Sequence, residues 1–376
     1  MQNTDRTWAE IHLDRLAHNY HLLRKHTPSD CRFLAPVKAN AYGHGAVTVS
    51  HTLADLGCDY LAVACLPEAL ELREAGITLP ILVFGYTNPK DASILVENHL
   101  TQAVFSREQA EALSLALKGT EYTLSVHLEL DTGMGRLGFP CRGALCAPAD
   151  ALIAMKLPHL HIQGIFTHFA VADMDEDDYT RAQFETFIKA IDWLEQESGQ
   201  IIPLRHSANS GGALRLPETH QNMIRPGLAL YGVSPNPELI ETNLRPVMEL
   251  KTRIIQVRDF VEGESISYGR TYKTTSTEKI AVLPIGYADG LPRILSGKMN
   301  MLLQGETLPQ VGRICMDMCM LNVSTLKKVS IGDVVTVFGQ DGSNSQSVHT
   351  LATLAETIPY ELLTRVAPRV PRITFP

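Results

Sequence analysis

The sequence predicts an α/β fold in which an N-terminal (β/α)8 TIM barrel is followed by a mostly β-stranded C-terminal domain. Over roughly the first 230 residues, eight apolar runs of strand length alternate with segments of helical periodicity. After Tyr231 the helical periodicity nearly vanishes, and short strand-like runs separated by Gly, Pro and Asp turns replace it. An open doubly wound sheet is the other architecture built from such alternation, but no GxGxxG motif follows any of the runs.

The eight barrel strands are predicted from short apolar runs bounded by turn residues. In chain order they lie near residues 33–37, 60–65, 80–85, 101–105, 122–130, 161–167, 201–205 and 222–225. Helices are predicted where apolar residues recur at three- and four-residue spacing, with glycine or proline marking some of their ends. They lie near residues 12–26, 46–56, 67–76, 89–97, 107–117, 144–155 and 179–197.

The turn-rich stretch Ser234-Pro235-Asn236-Pro237 is predicted to link the two domains. We therefore expect a barrel domain at residues 1–235 and an all-β domain at residues 236–376. In the second domain, strands are predicted near residues 248–257, 279–283, 298–303, 318–323 and 333–338, and a late helix near residues 347–356.

The composition excludes several classes of protein. With 45% hydrophobic and 20% charged residues, the chain has the composition of an ordinary soluble globular protein. A formal net charge of -8 argues against a nucleic-acid or anionic-membrane binder, because both need a basic patch. No apolar run of about 20 residues appears, so no transmembrane helix is expected. The first residues lack the apolar core of a secretory signal.

The 7 cysteines form an odd set without a CxxC pair. Their spacing is wrong for a zinc site, and a chain of this size does not need disulfides for stability. We therefore expect reduced, mostly buried thiols and no bound metal.

A single lysine ends the first predicted barrel strand. Lys38 follows the apolar run Phe33–Val37, and the small and polar residues behind it suit a functional loop. Burial disfavours an ammonium group, lowers its pKa and makes the neutral amine available to attack a carbonyl. The alternative for this residue alone is an ordinary solvated charge at the end of a strand.

Polar residues follow several other predicted strands. In a barrel these ends meet at one face, where the chemistry of such folds takes place. Taken singly, His168 and His206 fit satisfied core histidines, and Arg136 fits a structural partner of Asp131. Their common position at strand ends favours a shared site that binds anions and moves protons. The groups are Lys38, residues 131–136, Thr167-His168, residues 206–210 and Arg225-Pro226-Gly227.

These residues lie in blocks that resemble the alanine racemase family. The blocks occur in the family's order over nearly the whole chain, whereas the lysine block alone would also fit other barrel-type pyridoxal enzymes. They are residues 37–45, 131–138, 167–170, Ala208-Asn209-Ser210, Arg225-Pro226-Gly227 with Tyr231-Gly232, Ser267-Tyr268-Gly269, residues 286–290 and residues 312–317.

The resemblance implies a pyridoxal 5'-phosphate enzyme that interconverts L-alanine and D-alanine and supplies D-alanine for peptidoglycan. It implies two bases on opposite faces of the substrate, Lys38 and Tyr268, with Tyr268 coming from the partner subunit of a homodimer. By the same resemblance the cofactor is held by Lys38, Tyr42, His168, Ser210, Arg225, Gly227 and Tyr360. The substrate is held by Arg136, Met316, Asp317 and Tyr287.

Physical arguments agree with two of these implied roles. A tyrosine has a pKa near 10, so Tyr268 needs a donor neighbour to act as a base, and the family places His168 there. Arg225 would face the pyridine nitrogen of the cofactor. Because an arginine is effectively always protonated, the ring nitrogen would stay largely uncharged. That weakens electron withdrawal and favours racemisation over other reactions of the cofactor.

The chain departs from the family pattern at Glu129. The family commonly has a carbamylated lysine two residues before the Asp-Thr-Gly-Met block, and this lysine positions the arginine. A glutamate supplies the same sign of charge on a shorter arm. We expect Glu129 to orient Arg136 through a charge-assisted hydrogen bond.

Three other functions remain open at this point. One is a racemase for serine or for a broader set of side chains, because a sequence cannot place the wall of a pocket to within a methyl group. Another is a barrel-type amino-acid decarboxylase, which Arg225 disfavours. The last is a non-catalytic pyridoxal-binding barrel, which usually lacks a second domain.

Overall fold

The structure is a computed structural model that describes residues 4–142, 147–240 and 243–376. It confirms the predicted fold class, a parallel eight-stranded barrel-like sheet together with a separate, mostly β-stranded part. Each predicted barrel strand is present. The barrel strands are Arg32–Pro36, Tyr60–Val63, Ile81–Val83, Leu100–Val104, Leu124–Asp131, Leu160–Thr167, Leu204–His206 and Met223–Ile224.

The last barrel strand returns to the first. Met223 and Ile224 pair in parallel with Arg32 and Phe33. On its other side, the backbone N–H of Arg205 donates to the side chain of Asn222 over 2.8 Å. Paired strands of the barrel run parallel to one another, so their carboxyl ends lie at one edge of the sheet.

Much of the barrel interior is apolar, as expected for parallel strands that are covered on both faces. Each of seven strands contributes at least one residue to a single buried cluster. The cluster is Leu34, Tyr60, Ala62, Leu82, Ala103, Phe166, Leu204 and Met223.

The helices alternate with these strands as predicted. The predicted helix at residues 144–155 begins at Ala149, and residues 143–146 lie outside the described residues. Short 3-10 turns occur at Pro89–Asp91, Pro217–Thr219 and Leu228–Tyr231. The α-helices of this part are Leu13–Lys25, Ala46–Asp55, Leu66–Glu74, Ala92–Glu97, Arg107–Ala116, Ala149–Met155, Asp177–Ser198 and Ser210–Arg215.

The second large sheet contains a strand from the beginning of the chain. Thr7–His12 pairs antiparallel with Met248–Arg253 and parallel with Arg372–Phe375. The remaining strands of this sheet are Gln256–Phe260, Glu278–Leu283, Asn300–Leu303, Glu306–Val311, Cys319–Asn322, Val334–Asp341 and Asn344–Gln346. Ser265–Ile266 and Tyr272–Lys273 form a separate hairpin, and two helices, Val348–Leu354 and Pro359–Arg365, follow.

The chain divides into two compact units. One contains Leu16–Ala41 and Ala46–Arg245, and the other contains the stretch that ends at Arg15, Tyr42–Gly45 and Pro246–Pro376. This division differs from the proposed boundary at residue 235 chiefly at the N-terminus, because the first strand pairs with the β unit.

Five cysteines are free thiols: Cys31, Cys58, Cys65, Cys315 and Cys319. The prediction of reduced thiols is wrong for Cys141, which is disulfide-bonded. Among the described helices, none combines the length and the apolar character that crossing a bilayer requires.

Candidate active site

Lys38 lies where the first barrel strand ends, and its side chain is half-buried. Burial, and then the positive charge of Arg136, lower the pKa of its amine, with Arg225 acting in the same direction. The negative charges of Glu68 and Glu129 oppose this shift. The lowered pKa has the direction that the sequence predicts, and it favours the neutral, nucleophilic amine.

The backbone directly after Lys38 is strained. Ala39, Asn40, Ala41 and Tyr42 have φ values of 52°, 54°, 53° and 52°, which form one turn of left-handed conformation. For residues other than glycine this conformation costs about 1–2 kcal/mol each, and such strain persists only where the surroundings enforce it. Backbone strain of this kind concentrates at functional sites.

Two hydrogen bonds to side chains involve the left-handed turn. The N–H of Ala39, its first residue, donates to Oε1 of Glu68 over 2.7 Å. The side chain of Asn40, its second residue, accepts at Oδ1 from the N–H of Ala46, which follows the turn, over 2.7 Å. Side chains therefore fix the turn, and with it the position from which Lys38 projects.

Arg225 is buried beneath the strand ends and donates to four acceptors. Nη1 lies 3.1 Å from Nδ1 of His206, and Nη2 lies 2.8 Å from the carbonyl oxygen of Thr167. Nη2 also lies 3.2 Å from the carbonyl oxygen of Ser207 and 3.4 Å from Nδ1 of His168. Burial lowers the pKa of Arg225 to about 10, so the guanidinium stays charged at neutral pH.

A chain of buried imidazoles supports Arg225 from inside the barrel. Nε2 of His206 lies 2.8 Å from Nδ1 of His127. Burial, and then the charge of Arg225, lower the pKa of His127 to about 3, and the same causes hold His206 well below its usual pKa. The ring of Phe166 stacks on His206 with centroids 5.0 Å apart. Sequence reasoning identified His206 at a strand end but missed His127, whose only signal is a polar residue inside an apolar strand.

Asp131 shapes the loop that carries Arg136. Its Oδ1 accepts from the N–H groups of Gly133 and Gly135, each over 3.0 Å. Its Oδ2 forms an ion pair with Arg142. Arg142, and not Arg136, is therefore the ion-pair partner of Asp131. The side chain of Arg136 is exposed.

Glu129 is a buried carboxyl group in this unit, with 5% of its surface exposed. Burial raises its pKa to about 7, although the charges of Arg136 and then Arg225 act in the opposite direction. Near neutral pH this carboxyl group is therefore present in both protonation states. Arg136 and Arg225 act on both Glu129 and Lys38, and Lys38 also acts on Glu129.

Ser210 and the turn after Gly227 are joined. The hydroxyl of Ser210 accepts from the backbone N–H of Ala229 over 3.2 Å. Asn209 accepts from the N–H of Gly212 over 3.0 Å and begins the short helix Ser210–Arg215. This places a hydroxyl and several backbone N–H groups together, an arrangement that suits an anion.

The remaining predicted site residues lie in the β unit. Tyr268 is 71% exposed, Met316 54% and Tyr287 43%. Tyr42 is buried, its ring centroid lies 5.9 Å from that of Tyr360, and burial raises its pKa well above the usual value.

Two loops of the β unit that carry predicted residues are bound together. The N–H of Tyr287 donates to the carbonyl oxygen of Cys315 over 3.1 Å, and the N–H of Ala288 donates to that of Met316 over 2.9 Å. Beside Met316, Asp317 forms an ion pair with Arg369 over 2.7 Å.

Asp289 stabilises these loops through buried hydrogen bonds. It is fully buried and accepts from both terminal nitrogens of Arg6, over 2.5 and 2.8 Å. It also accepts from Nε of Arg369 over 2.8 Å and from the N–H of Gly286 over 2.9 Å. Sequence reasoning noted the glycine-rich block around Asp289 but did not assign this role.

Two family models together match almost all of the chain. The alanine racemase N-terminal domain matches residues 11–235, and the alanine racemase C-terminal domain matches residues 247–374. The chain belongs to the alanine racemase family. Among its relatives, the alanine racemase of Methanococcus maripaludis is 44% identical over 97% of this chain and 98% of that protein. The alanine racemase of Desulfovibrio desulfuricans is 44% identical over 97% of each chain.

Solved structures of alanine racemases agree with this assignment. The alanine racemase of Bacillus anthracis, solved with bound L-Ala-P, superposes with a TM-score of 0.92 and 36% identity over 99% of this chain and 95% of that one. A histidine racemase from Leuconostoc mesenteroides superposes with a TM-score of 0.90 at 28% identity, over 100% of this chain and 99% of that one. The alanine racemase fold therefore occurs in enzymes with different substrates.

Proposed function

We propose that the chain is a pyridoxal 5'-phosphate-dependent alanine racemase that interconverts L-alanine and D-alanine. The observation that carries the proposal is the position of Lys38, half-buried on a strained turn at a barrel strand end with Arg136, Arg225 and Glu129 acting on its charge. The names of relatives that are 44% identical over nearly full length support alanine as the substrate.

The residues of the barrel unit fit this cofactor. Lys38 offers an amine with a lowered pKa for attack on its aldehyde. Ser210 and the backbone after Gly227 offer donors for its phosphate, and Arg225 offers a guanidinium for its ring nitrogen. By family resemblance, Tyr42 and Tyr360 add two hydroxyls. When bound, pyridoxal phosphate withdraws electrons from the Cα of the amino acid and makes the Cα proton acidic.

In this proposal two residues move the proton. Lys38 Nζ takes or returns it on one face of Cα, and the hydroxyl of Tyr268 from a second copy of the chain does so on the other. His168 accepts from Arg225 at Nδ1, so its neutral ring carries its proton on Nε2. That N–H is suited to donate to the tyrosine oxygen and to stabilise its anionic form.

Arg225 favours racemisation over decarboxylation. A guanidinium that stays charged donates to a ring nitrogen but does not transfer its proton, so electron withdrawal stays limited. A decarboxylase benefits from a protonated ring and a carboxylate partner for the nitrogen.

We assign the substrate carboxylate to Arg136, with Met316 and Asp317 nearby, and a narrow entrance to Met316 and Tyr287. A small pocket of this kind would admit a side chain about the size of a methyl group. Because a histidine racemase shares the fold, the side-chain preference must be measured across a panel of amino acids.

We further propose a homodimer in which the C-terminal domain, residues 236–376, completes the site of its partner. The exposure of Tyr268 and Met316 supports this arrangement, because side chains at the surface are accessible to a second copy of the chain. A cytoplasmic role in supplying D-alanine for peptidoglycan follows from the family resemblance.

Two experiments test the proposed function. Borohydride reduction of the loaded enzyme should fix the cofactor on Lys38, located by peptide mass spectrometry. Lys38→Ala should abolish fixation, whereas Lys156→Ala, at an exposed lysine, should leave it intact. A chiral assay over a panel of L-amino acids should show racemisation of alanine without release of carbon dioxide. Fixation elsewhere, or gas release, would reject the proposal.

A further inference from the structure

We propose that Glu68 is a positioning residue, whose carboxylate holds the turn behind Lys38 and thereby sets the direction of the lysine amine. The inference rests on the proposed role of Lys38. It concerns a residue outside the sequence blocks named above, on the helix Leu66–Glu74 that follows the second barrel strand.

The carboxylate of Glu68 bridges two neighbouring strand ends. Its Oε1 accepts from the N–H of Ala39, the residue after Lys38, over 2.7 Å. Its Oε2 accepts from the N–H of Ala64, directly after the strand Tyr60–Val63, over 2.7 Å. An ionised carboxylate is an acceptor at both oxygens, so one side chain satisfies two backbone donors and fixes their separation.

The turn that Glu68 contacts has a costly backbone conformation. Four successive residues after Lys38 have positive φ, and none of them is glycine. Such a conformation relaxes unless hydrogen bonds enforce it. Glu68 supplies the bond at the first of these residues, the position that decides how the backbone leaves Lys38. Loss of that bond should let Ala39 move toward an ordinary conformation and swing the lysine with it.

Glu68 also acts on Lys38 through its charge. Among the groups that act on this amine, Glu68 and Glu129 are the negative ones, whereas Arg136 and Arg225 are positive. Removing the charge of Glu68 should therefore make the ammonium form less stable. Glu68 therefore acts on Lys38 through its charge as well as through its hydrogen bond to Ala39.

The test compares Glu68→Gln with Glu68→Asp and with Glu71→Gln in the cofactor-loaded enzyme. Glutamine keeps one acceptor of the same size, so the fold should survive. Glu71 is exposed on the same helix and serves as the matched control. We expect Glu68→Gln to lower kcat by about 10- to 100-fold with little change in KM, Glu68→Asp to restore part of it, and Glu71→Gln to match wild type.

A second measurement follows the titration of the Lys38 amine and does not depend on activity. Competitive acetylation of Lys38 is quantified by mass spectrometry across pH in the protein freed of cofactor, because bound cofactor would occupy the amine. Its midpoint should move to lower pH in Glu68→Gln and not in Glu71→Gln. Wild-type kcat together with an unmoved midpoint would overturn the inference. So would a loss of kcat with an unmoved midpoint and a lowered unfolding midpoint, since Glu68 would then be a structural cap.

The two proposals fail in different ways. If borohydride does not fix the cofactor on Lys38 in wild type, the proposed function falls. A moved acetylation midpoint in Glu68→Gln would in that case still support an action of Glu68 on Lys38.

Discussion

Arg225 donates a hydrogen bond from Nη1 to Nδ1 of His206 across 3.1 Å, and this contact fixes the protonation of two buried imidazoles. Arginine has no acceptor, so Nδ1 of His206 must accept and its proton must lie on Nε2. That N–H then donates to Nδ1 of His127, which leaves the proton of His127 on Nε2 beside Gly164. A neutral chain of imidazoles thus orients a charged arginine from inside the barrel.

The substitution His206→Phe should disturb the orientation of Arg225 and leave its positive charge in place. Phenylalanine preserves stacking on Phe166 but removes both hydrogen bonds of the imidazole. An unpaired donor on a buried charged group costs about 1.5–3 kcal/mol, so kcat should fall roughly 10- to 100-fold. Steady-state kinetics measures this, with His161→Phe, at an exposed histidine of a neighbouring strand, as control. Equal kcat in both variants would mean that the imidazole chain does not orient Arg225.

The barrel was predictable because its strands are buried on both faces and read as short apolar runs. The strand Thr7–His12 was not predicted, because its partners are far away in sequence. Ala9 lies opposite Leu250 and Arg372, and no local sequence pattern predicts such pairings. This strand forms because of long-range pairing, which local periodicity in the sequence cannot predict.

The candidate site, too, was only partly predictable from the sequence. Lys38 was predicted from its place at the end of an apolar run, and the polar strand ends followed from the barrel. The left-handed turn behind Lys38 was not predicted, because Ala, Asn, Ala and Tyr carry no glycine signal for positive φ. The N–H of Ala39 donates to Glu68, 29 residues away in sequence, and the N–H of Ala46 donates to Asn40. The folded structure shows these bonds, and the sequence pattern does not.

The stability of the protein should depend on pH through Glu129. Burial raises its pKa to about 7 in the folded chain, whereas the unfolded value lies near 4.5. Between these values the folded state binds more protons than the unfolded state. The contribution of Glu129 to the free energy of unfolding therefore falls as pH rises from about 4.5 to about 7, by an amount on the order of 3 kcal/mol.

Chemical unfolding of wild type and Glu129→Gln across this range measures that contribution. The difference in unfolding free energy, wild type minus variant, should decrease with rising pH and become constant above about 7. The same variant should have a raised KM or a lowered kcat if Glu129 orients Arg136. A difference that is independent of pH would show that Glu129 does not titrate in this window.

Asp289→Asn should destabilise the β unit. Burial alone would raise the pKa of Asp289, but hydrogen bonds from Arg6 and Arg369 lower it, so the carboxylate is ionised in the fold. Breaking a buried ion pair costs about 3–5 kcal/mol, and partial exposure of both arginines reduces this to about 2–3 kcal/mol. Urea unfolding measures the loss.

Asp317→Asn is the matched control for this prediction. It removes the other carboxylate bound by Arg369, but Asp317 is about half exposed. Exposed ion pairs contribute about 0–1 kcal/mol, so its unfolding free energy should stay close to wild type. Equal losses in the two variants would mean that burial of Asp289 contributes nothing beyond a surface pair.

Mixing two inactive chains should restore activity if Tyr268 acts across a subunit boundary. Lys38→Ala removes one base and Tyr268→Phe removes the other, so each homodimer lacks an intact site. In a hybrid dimer, one site combines the intact Lys38 of one chain with the intact Tyr268 of the other. With random pairing, half of the dimers are hybrids and half of their sites are intact, so activity should return to roughly a quarter of the wild-type value.

Refolding the two variants together and assaying alanine racemisation measures this recovery. As a control, the double variant Lys38→Ala, Tyr268→Phe refolded with Tyr268→Phe should stay inactive. Activity in either parent alone, or no recovery in the mixture, would place both bases within one chain or remove one of them from the mechanism.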